Sequence, residues 1–505
     1  MHIFAFVAAF TFLFLFLFKL LRRKTTNLPP SPAALPILGN LHQVGRLPHR
    51  SLASLSEKYG PLFLVRLGSI PVAVVSSVDI AEEVLKTQDL TFASRPPSSM
   101  ASRLLYGPRD VIYSPYGPYW RQMRKICVIH LLSLKRVQEI QPILKEEVAI
   151  LLSEIAGASP APVNLSEMVE DLSKDIICRA ALGRKCSGGR RFGEMVKELM
   201  DLFGSFPMRD FIPWLGWVDE ISGLNARVRR SFIEFDRFLE GVLEEHDIRR
   251  RESEEGNGIS GVGVDRQSVD FVDVLLSLKE KDDDGLTFTL HRDSIKAILM
   301  DMFVAGTETS STTIEWAMTE LLRHPNLMKK TQEEIRRIVG SNSIVDEEED
   351  IEQMEYFKAV VKETLRLHPP VSILIPRAAR KDTNLQGYQI PAGTTVFVNA
   401  WKIARDPAYW EEPDEFWPDR FLEKDVDHCT GQDFHYLPFG SGRRSCPGAS
   451  FGLISVHYIL ANLLHFFNWE IPEERKKEAF DMSELAGVAR KKLGLVLSAS
   501  PYILN

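Results

Sequence analysis

Helical periodicity dominates the chain. Apolar residues recur every three or four positions through Val137 to Leu152, Arg229 to Leu243, Ile295 to Arg323 and Met328 to Val339, the spacing that lines one face of an α-helix. Two stretches depart from it. Pro61 to Ser76 (PLFLVRLGSIPVAVVS) is rich in Val, Ile and Leu around a Gly-Ser turn and reads as two strands of a hairpin. Thr383 to Val398 (TNLQGYQIPAGTTVFV) alternates around Gly and Pro and reads as a second β patch. The predicted body is therefore mainly α with a small β region. Arg251 to Ser268 is Gly, Ser and charge without apolar periodicity, which predicts a mobile loop. No internal repeat is present.

The N-terminus has a different pattern. From Ile3 to Phe18 only Thr11 is polar, and with Lys19 snorkelling the apolar run continues through Leu21, close to the minimum for a transmembrane helix. Arg22, Arg23 and Lys24 follow the run instead of preceding it, and no A-x-A cleavage site ends it, which argues against a cleaved secretory peptide. The positive-inside rule then places the rest of the chain on the cytosolic side. Leu28-Pro29-Pro30-Ser31-Pro32 cannot continue a helix and predicts a stiff extended hinge. The expected organisation is an anchor with its basic flank at 1–24, a proline-rich hinge at 25–40 and a catalytic body at 41–505.

Composition narrows the function. With 505 residues, 45% hydrophobic and 26% charged, the chain buries a large core and is neither disordered nor a multi-span membrane protein. The five cysteines (Cys127, Cys178, Cys186, Cys429, Cys446) form no C-x-x-C pair, so neither a disulfide framework nor a zinc knuckle is expected. Lys19, Arg22, Arg23 and Lys24 face no acid within 1–24, so removing them from the chain's −7 leaves a body at −11. That balance argues against nucleic acid as a partner and leaves membrane attachment to the anchor.

One cysteine stands apart. A lone cysteine is normally a small buried hydrophobe. Phe439-Gly440-Ser441-Gly442-Arg443-Arg444-Ser445-Cys446-Pro447-Gly448, however, delivers Cys446 on a Gly-rich turn to the start of an apolar helical segment. Pro447 suits a first helical turn, so Cys446 is expected at the positive helix end, where thiolate is favoured. Gly442 permits a tight turn, Gly448 permits a flat ligand to approach the backbone, and Arg444 adds a positive charge. The chemical reading is a thiolate beneath a planar, anionic cofactor.

Through Phe439, Gly442, Arg444, Cys446 and Gly448 the loop resembles the F-x-x-G-x-R-x-C-x-G signature of the cytochrome P-450 superfamily, the haem-thiolate monooxygenases. The resemblance runs from the anchor to the C-terminal strands. PPSPAALPILGNL, AGTETSSTTIEWAM and KETLRLHPP look like plant microsomal members of specialised metabolism. It implies the P-450 fold, haem b with Cys446 as axial ligand, and electrons from NADPH through a membrane-bound reductase. It also implies O2 and a hydrophobic substrate, a single-pass location in the endoplasmic reticulum membrane and a monomer.

Further site residues follow from the same resemblance. Ala305-Gly306-Thr307-Glu308-Thr309-Ser310, by itself an imperfect helix, is similar to the family's oxygen-binding motif. Ala305 and Gly306 would leave room for oxygen, Thr309 would hydrogen-bond it or its water, and Glu308 would relay protons. Trp120 and Arg124, four apart on one helix face, read alone as a surface cation-π pair; the resemblance aims both at a haem propionate, with Arg377 and Arg444 pairing the propionates too. Glu363 and Arg366, with Arg420 as third member, would form a structural network. Leu104, Phe206, Met302, Ala305, Ile373, Leu374 and Val488 are the expected substrate-facing positions, all apolar. Arg121, Lys125 and Arg443 would meet an acidic reductase face, or are simply solvated charge. Two other readings use the same cofactor. A reductase-independent isomerase or dehydratase should lack the Glu308-Thr309 pair, and a non-catalytic haem sensor needs no proton relay.

Overall fold

The computed structural model describes Thr11 and residues 27–186, 190–255, 269–280, 290–340, 344–346, 349–423, 431–485 and 487–502. The expected anchor, apart from Thr11, lies outside the described residues, as does Cys429. Helices of eight or more residues, in chain order, are α1 (Pro48–Tyr59), α2 (Pro118–Ile126), α3 (Leu134–Ala158), α4 (Leu165–Leu182), α5 (Arg190–Phe203), α6 (Leu224–Glu255), α7 (Phe271–Glu280), α8 (Arg292–Arg323), α9 (Pro325–Val339), α10 (Glu355–Leu367) and α11 (Ala449–Phe466). The four periodic stretches each fall inside one of these, in α3, α6, α8 and α9, extended by three residues or more at one or both ends. Arg251 to Glu255 of the expected mobile loop are the last residues of α6, and the loop from 256 to 268 lies outside the described residues.

The hairpin forms as expected. β1 (Leu62–Leu67) and β2 (Ile70–Val75) pair antiparallel across Gly68 and Ser69. The second patch gives three strands divided between two sheets. β5 (Thr383–Leu385) and β6 (Tyr388–Ile390) form a separate ribbon, while β7 (Thr395–Val398) joins β2 in parallel and β4 (Arg377–Ala378) antiparallel. β3 (Val163–Asn164), β9 (Val496–Pro501) and β8 (Phe467–Glu470) make a third sheet in that order. In β1 and β2 alternate residues enter two different apolar clusters, Phe63, Val65, Val72 and Val74 on one face, Leu62, Ala73 and Val75 on the other. That period of two buries the sheet on both sides.

The main core surrounds α8. Most of this 32-residue helix is buried, and it packs chiefly against α4 and then α11. It is buried on nearly all sides although it carries Lys296, Asp301, Glu308, Glu315 and Glu320 among its apolar residues, so its polar groups need partners inside the core. α11 is the one described helix long and apolar enough to span a bilayer, and 72% of that window is buried in the core. The Ser and Thr residues of α8 add no unsatisfied hydroxyl to the core: Thr307, Ser311, Thr313 and Thr319 each donate to the carbonyl four residues back, at 2.7–3.1 Å.

Ahead of Cys446, residues 404–420 are held by buried ions. Arg366 bonds both Glu363 oxygens (2.7 and 2.8 Å) and the carbonyls of Ala404 (2.8 Å), Pro413 (2.7 Å) and Glu415 (3.1 Å). Arg420 adds a 3.2 Å bond to Glu363 and reaches the carbonyls of Glu411 and Glu412. Trp410 and Tyr436 continue the link, through His435 O and Lys362 O, to the chain entering the cysteine loop.

Candidate active site

Cys446 is presented by a loop that only glycine allows. Gly442 has φ +70°, and a Cβ there would stand 2.2 Å from Leu85 O. The Cys446 amide donates to Phe439 O (2.9 Å), closing the turn. Pro447 is not in the helix, contrary to expectation: Gly448 caps α11, which begins at Ala449, so Cys446 stands two residues ahead of the cap. The helix therefore contributes less than expected. Cys446 is exposed, but only to an enclosed space; the surrounding protein desolvates its thiol and pushes it up, against the Gly448 N–H bonded to its sulfur and the nearby Arg124, which both draw it down. A metal cation on the sulfur is the contribution that would secure the thiolate.

The sulfur opens into a cavity of about 250 Å³ whose wall includes Met302, Ala305, Gly306, Thr309 and Thr313, one face of α8 at helical spacing. Ala305 is exposed to this space on a helix that is otherwise largely buried. The Thr309 hydroxyl donates to Ala305 O (2.7 Å), which leaves its oxygen free to accept from the cavity. Gly306 differs from the expected role. A Cβ there would meet Ile177 Cδ1 at 2.6 Å, so its missing side chain makes room for α4 as well as for a ligand. Glu308 is off the wall, buried on another side of α8, with its nearest counter-charge Arg490 at 3.7 Å. Burial raises its carboxyl and Arg490 opposes the shift.

Four arginines crowd one end of the cavity. Arg95, Arg124, Arg377 and Arg444 all line it. Arg444 donates to Ala93 O (2.8 Å), Val111 O (3.2 Å) and Ser114 O (2.6 Å) and lies 4.0 Å over the Trp120 ring. Arg377 bonds Asp89 (3.0 Å) and Ser441 O (2.7 Å), and Arg95 bonds the carbonyls of Ile112, Ile375 and Pro376. Arg124 touches Ser445 Oγ (3.3 Å). Burial lowers all four. Like charges add to it for two: Arg444 falls to about 9, by burial first and then Arg377, and Arg95 is pressed by Arg444 and Arg377, whereas Asp89 opposes the shift of Arg377 and Cys446 that of Arg124. Guanidinium groups held this close and largely capped by neutral carbonyls form a receptor for a polyanion.

Several expectations are corrected here. Trp120 is buried under Arg444 and its Nε1 donates to Val111 O (3.0 Å), so its cation partner is Arg444, not Arg124, and its N–H is already used. Of the expected positions, Trp120, Arg124, Met302, Ala305, Gly306, Thr309, Leu374, Arg377, Phe439, Arg444, Cys446 and Gly448 line the cavity, and Leu104, Phe206, Glu308, Ile373, Gly442 and Val488 do not, Gly442 serving the turn instead. Leu104 is fully buried in the core; Phe206, half exposed beyond the end of α5, stacks on Phe211. Ile373 packs with the β1 and β2 cluster, while Val371, Leu374 and Ile375 take the wall. Val488 lies on the half-buried C-terminal loop. Arg95 is the member the sequence reading missed. Its only signal was an arginine between Phe92-Ala93 and Pro96, with no spacing to tie it to Cys446.

A single thiol, a cluster of guanidiniums and a mainly apolar wall, broken by Asp301 and the hydroxyls of Thr309, Ser310, Thr313 and Ser445, define a thiolate-ligating pocket for a planar, anionic metal cofactor. That donor set fits haem: Cys446 for iron, the arginines for carboxylates, and Leu374, Ile375 and Phe451 for the ring. The cytochrome P450 family model matches residues 29–498, and the chain belongs to that family, whose members use haem b and are monooxygenases. It is 48% identical to cytochrome P450 71A1 of Persea americana, over 92% of each chain. It is 46% identical to phenylacetaldehyde oxime monooxygenase CYP71AN24 of Prunus mume, over 95% of this chain and 90% of that one. A zebra fish cytochrome P450 structure with progesterone superposes with a TM-score of 0.75 at 27% identity, covering 90% of this chain and 99% of that one.

Proposed function

We propose that the protein is an NADPH-dependent monooxygenase that oxidises a nonpolar plant specialised metabolite (terpenoid, steroid, phenolic or alkaloid), drawing electrons from a reductase. The observation that carries this reading is the shared cavity of Cys446 and Thr309, with Glu308 behind Thr309 on the same helix. Haem bound there supplies oxygen activation. The chain's own part is threefold. Apolar walls exclude water and orient substrate, Thr309 Oγ1 accepts a hydrogen bond from the cavity, and Glu308 moves protons inward. The acid-alcohol pair disfavours the isomerase and sensor readings. The Prunus mume relative's name, an oxime monooxygenase, supports a small apolar or aromatic substrate.

Residues 1–24 anchor the body to the endoplasmic reticulum membrane, and the body faces the cytosol. Exposed Ile37, Leu38, Trp214 and Trp217 support a membrane-facing side, because the 35–39 and 208–217 segments both meet the β1–β2 turn. Arg121, Lys125 and Arg443 are exposed on the cysteine-loop side, where reductase would dock, Arg443 already paired with Asp89 at 3.1 Å. Cleavage of the body by protease added outside sealed microsomes tests the orientation. Microsomes holding the protein and a reductase, screened against apolar plant metabolites for an NADPH-dependent gain in mass, test the activity. In Thr309→Ala, NADPH oxidation should continue while product falls about tenfold or more and peroxide rises; unchanged coupling removes Thr309 from proton delivery.

A further inference from the structure

The basic run Arg490-Lys491-Lys492 would ordinarily be a solvated face, yet its backbone is fixed residue by residue. Ala489 O accepts from Trp316 Nε1 of α8 (2.7 Å), and the Ala489 amide donates to Pro370 O (3.0 Å), a residue of the cavity wall. Lys491 is buried and donates to Ala479 O and Asp481 O. Arg490, between these two clamps, remains partly exposed and directs Nη1 to 3.7 Å from Glu308 Oε1. Among the described residues it is the only cation in ion-pair contact with Glu308. The other charges acting on Glu308 are Glu170 and Lys174 of α4 and Asp201 of α5. Lys174 is engaged by Glu170 (3.1 Å) and Asp171 (2.8 Å), so it is poorly placed to substitute.

We propose that Arg490 is a positioning residue for proton delivery, holding the buried Glu308 carboxylate away from the cavity until a proton arrives by way of the partly exposed Arg490 side. This rests on the reading of Glu308 as the proton relay. At 3.7 Å the pair is beyond hydrogen-bond length and is held by charge. A solvent proton taken up by the carboxylate cancels that attraction. The neutral acid turns inward, gives the same proton to the cavity, and the carboxylate returns to Arg490.

The test uses the full-length holoenzyme and three variants. A carboxylic-acid infrared band lost in Glu308→Gln is titrated in the resting protein, without turnover. Removal of the cation in Arg490→Ala should move its midpoint upward, and Arg490→Lys should restore it. In turnover with reductase, product per NADPH at pH 7 should fall about threefold in Arg490→Ala, a partial loss beside removal of the relay itself. The acid limb of the coupling profile should move up in parallel with the infrared midpoint. An unmoved midpoint in Arg490→Ala overturns the proposal, and so does an equal shift in Arg490→Lys, which would assign the effect to loop geometry. Intact coupling in Glu308→Gln overturns the relay reading beneath it. Uncoupling in Glu308→Gln with no shift in Arg490→Ala removes Arg490 alone.

Discussion

Arg366 offers the sharpest test of how the cysteine loop is supported. A guanidinium carries five N–H donors, and the hydrogen bonds of Arg366 use all five: two to Glu363, three to the carbonyls of Ala404, Pro413 and Glu415. Both side chains of the Glu363 pair are fully buried. Arg366→Lys keeps the charge but offers at most three donors from one nitrogen, so two or more acceptors lose their partner. Each buried acceptor left unpaired costs about 1–3 kcal/mol. Glu363 Oε1 retains Arg420 (3.2 Å) and the Trp417 amide (2.9 Å), which places the total near the lower end, about 2–4 kcal/mol. The lost carbonyl contacts lie on the segment that Trp410 and Tyr436 tie to the cysteine loop. The expected result is a lower denaturation midpoint together with a smaller fraction of thiolate-ligated haem in the reduced carbon monoxide spectrum. An Arg366→Lys protein with wild-type midpoint and full haem content would refute the claim that the fork, as distinct from the charge, holds this region.

Asp110 and Asp301 give a pH-dependent prediction. Both are buried, each has one oxygen without a hydrogen-bond partner, and Asp301 Oδ2 accepts from the Val111 amide (2.7 Å). Burial lifts Asp110 to about 6 and, with Asp110's charge, Asp301 well above the usual carboxylate range. The folded state then holds protons that the unfolded chain releases near pH 4, so stability falls by about 1.4 kcal/mol per pH unit for each proton still held: from about pH 4 for both groups, with the Asp110 contribution spent by about pH 6 and only that of Asp301 continuing above it. Asp301→Asn removes one of the two proton-holding carboxyls and its charge from beside Asp110, and the slope of the unfolding midpoint against pH should flatten; an unchanged slope rules out the pair as its source. Gly306→Ala places a methyl against Ile177, opposed in sign by a gain in helix propensity. A double-mutant cycle with Ile177→Ala, read by denaturant midpoints, should show the pair about 1 kcal/mol less destabilised than the two single changes added; simple additivity would show that the helices do not meet there.

The readable parts of the sequence were those in which one short stretch contains both the cause and the effect. Helical spacing in α8 places Met302, Ala305, Thr309 and Thr313 on one face by itself, and the Gly68-Ser69 turn sets the β1–β2 register by itself. The Cys446 loop was legible because its glycine and arginine spacing is local. The partners of those arginines were not. Arg444 is satisfied by carbonyls of Ala93, Val111 and Ser114, and Arg95 by those of Ile112, Ile375 and Pro376; backbone carbonyls carry no residue identity, and in most cases hundreds of positions intervene. This is why Arg95 went unnoticed and why Trp120 was aimed at a ligand when its N–H meets Val111 O.

The same contrast explains the thiol. A helix N-terminus beside Cys446 could be inferred from Pro447, but its effect on the sulfur depends on burial, a property of the packed chain. Burial raises the thiol and lowers the four arginines, so each group is pushed toward neutrality by the surroundings that hold it in place. Neutral partners would leave that cost in place, because a carbonyl satisfies an N–H without cancelling its charge. A cation at the sulfur and carboxylates at the guanidiniums reverse both shifts together. Thiol and arginines thus favour one ligand carrying both charges over either charge alone. Holding the two kinds of group around a single cavity makes the binding of such a ligand contribute directly to the stability of the fold.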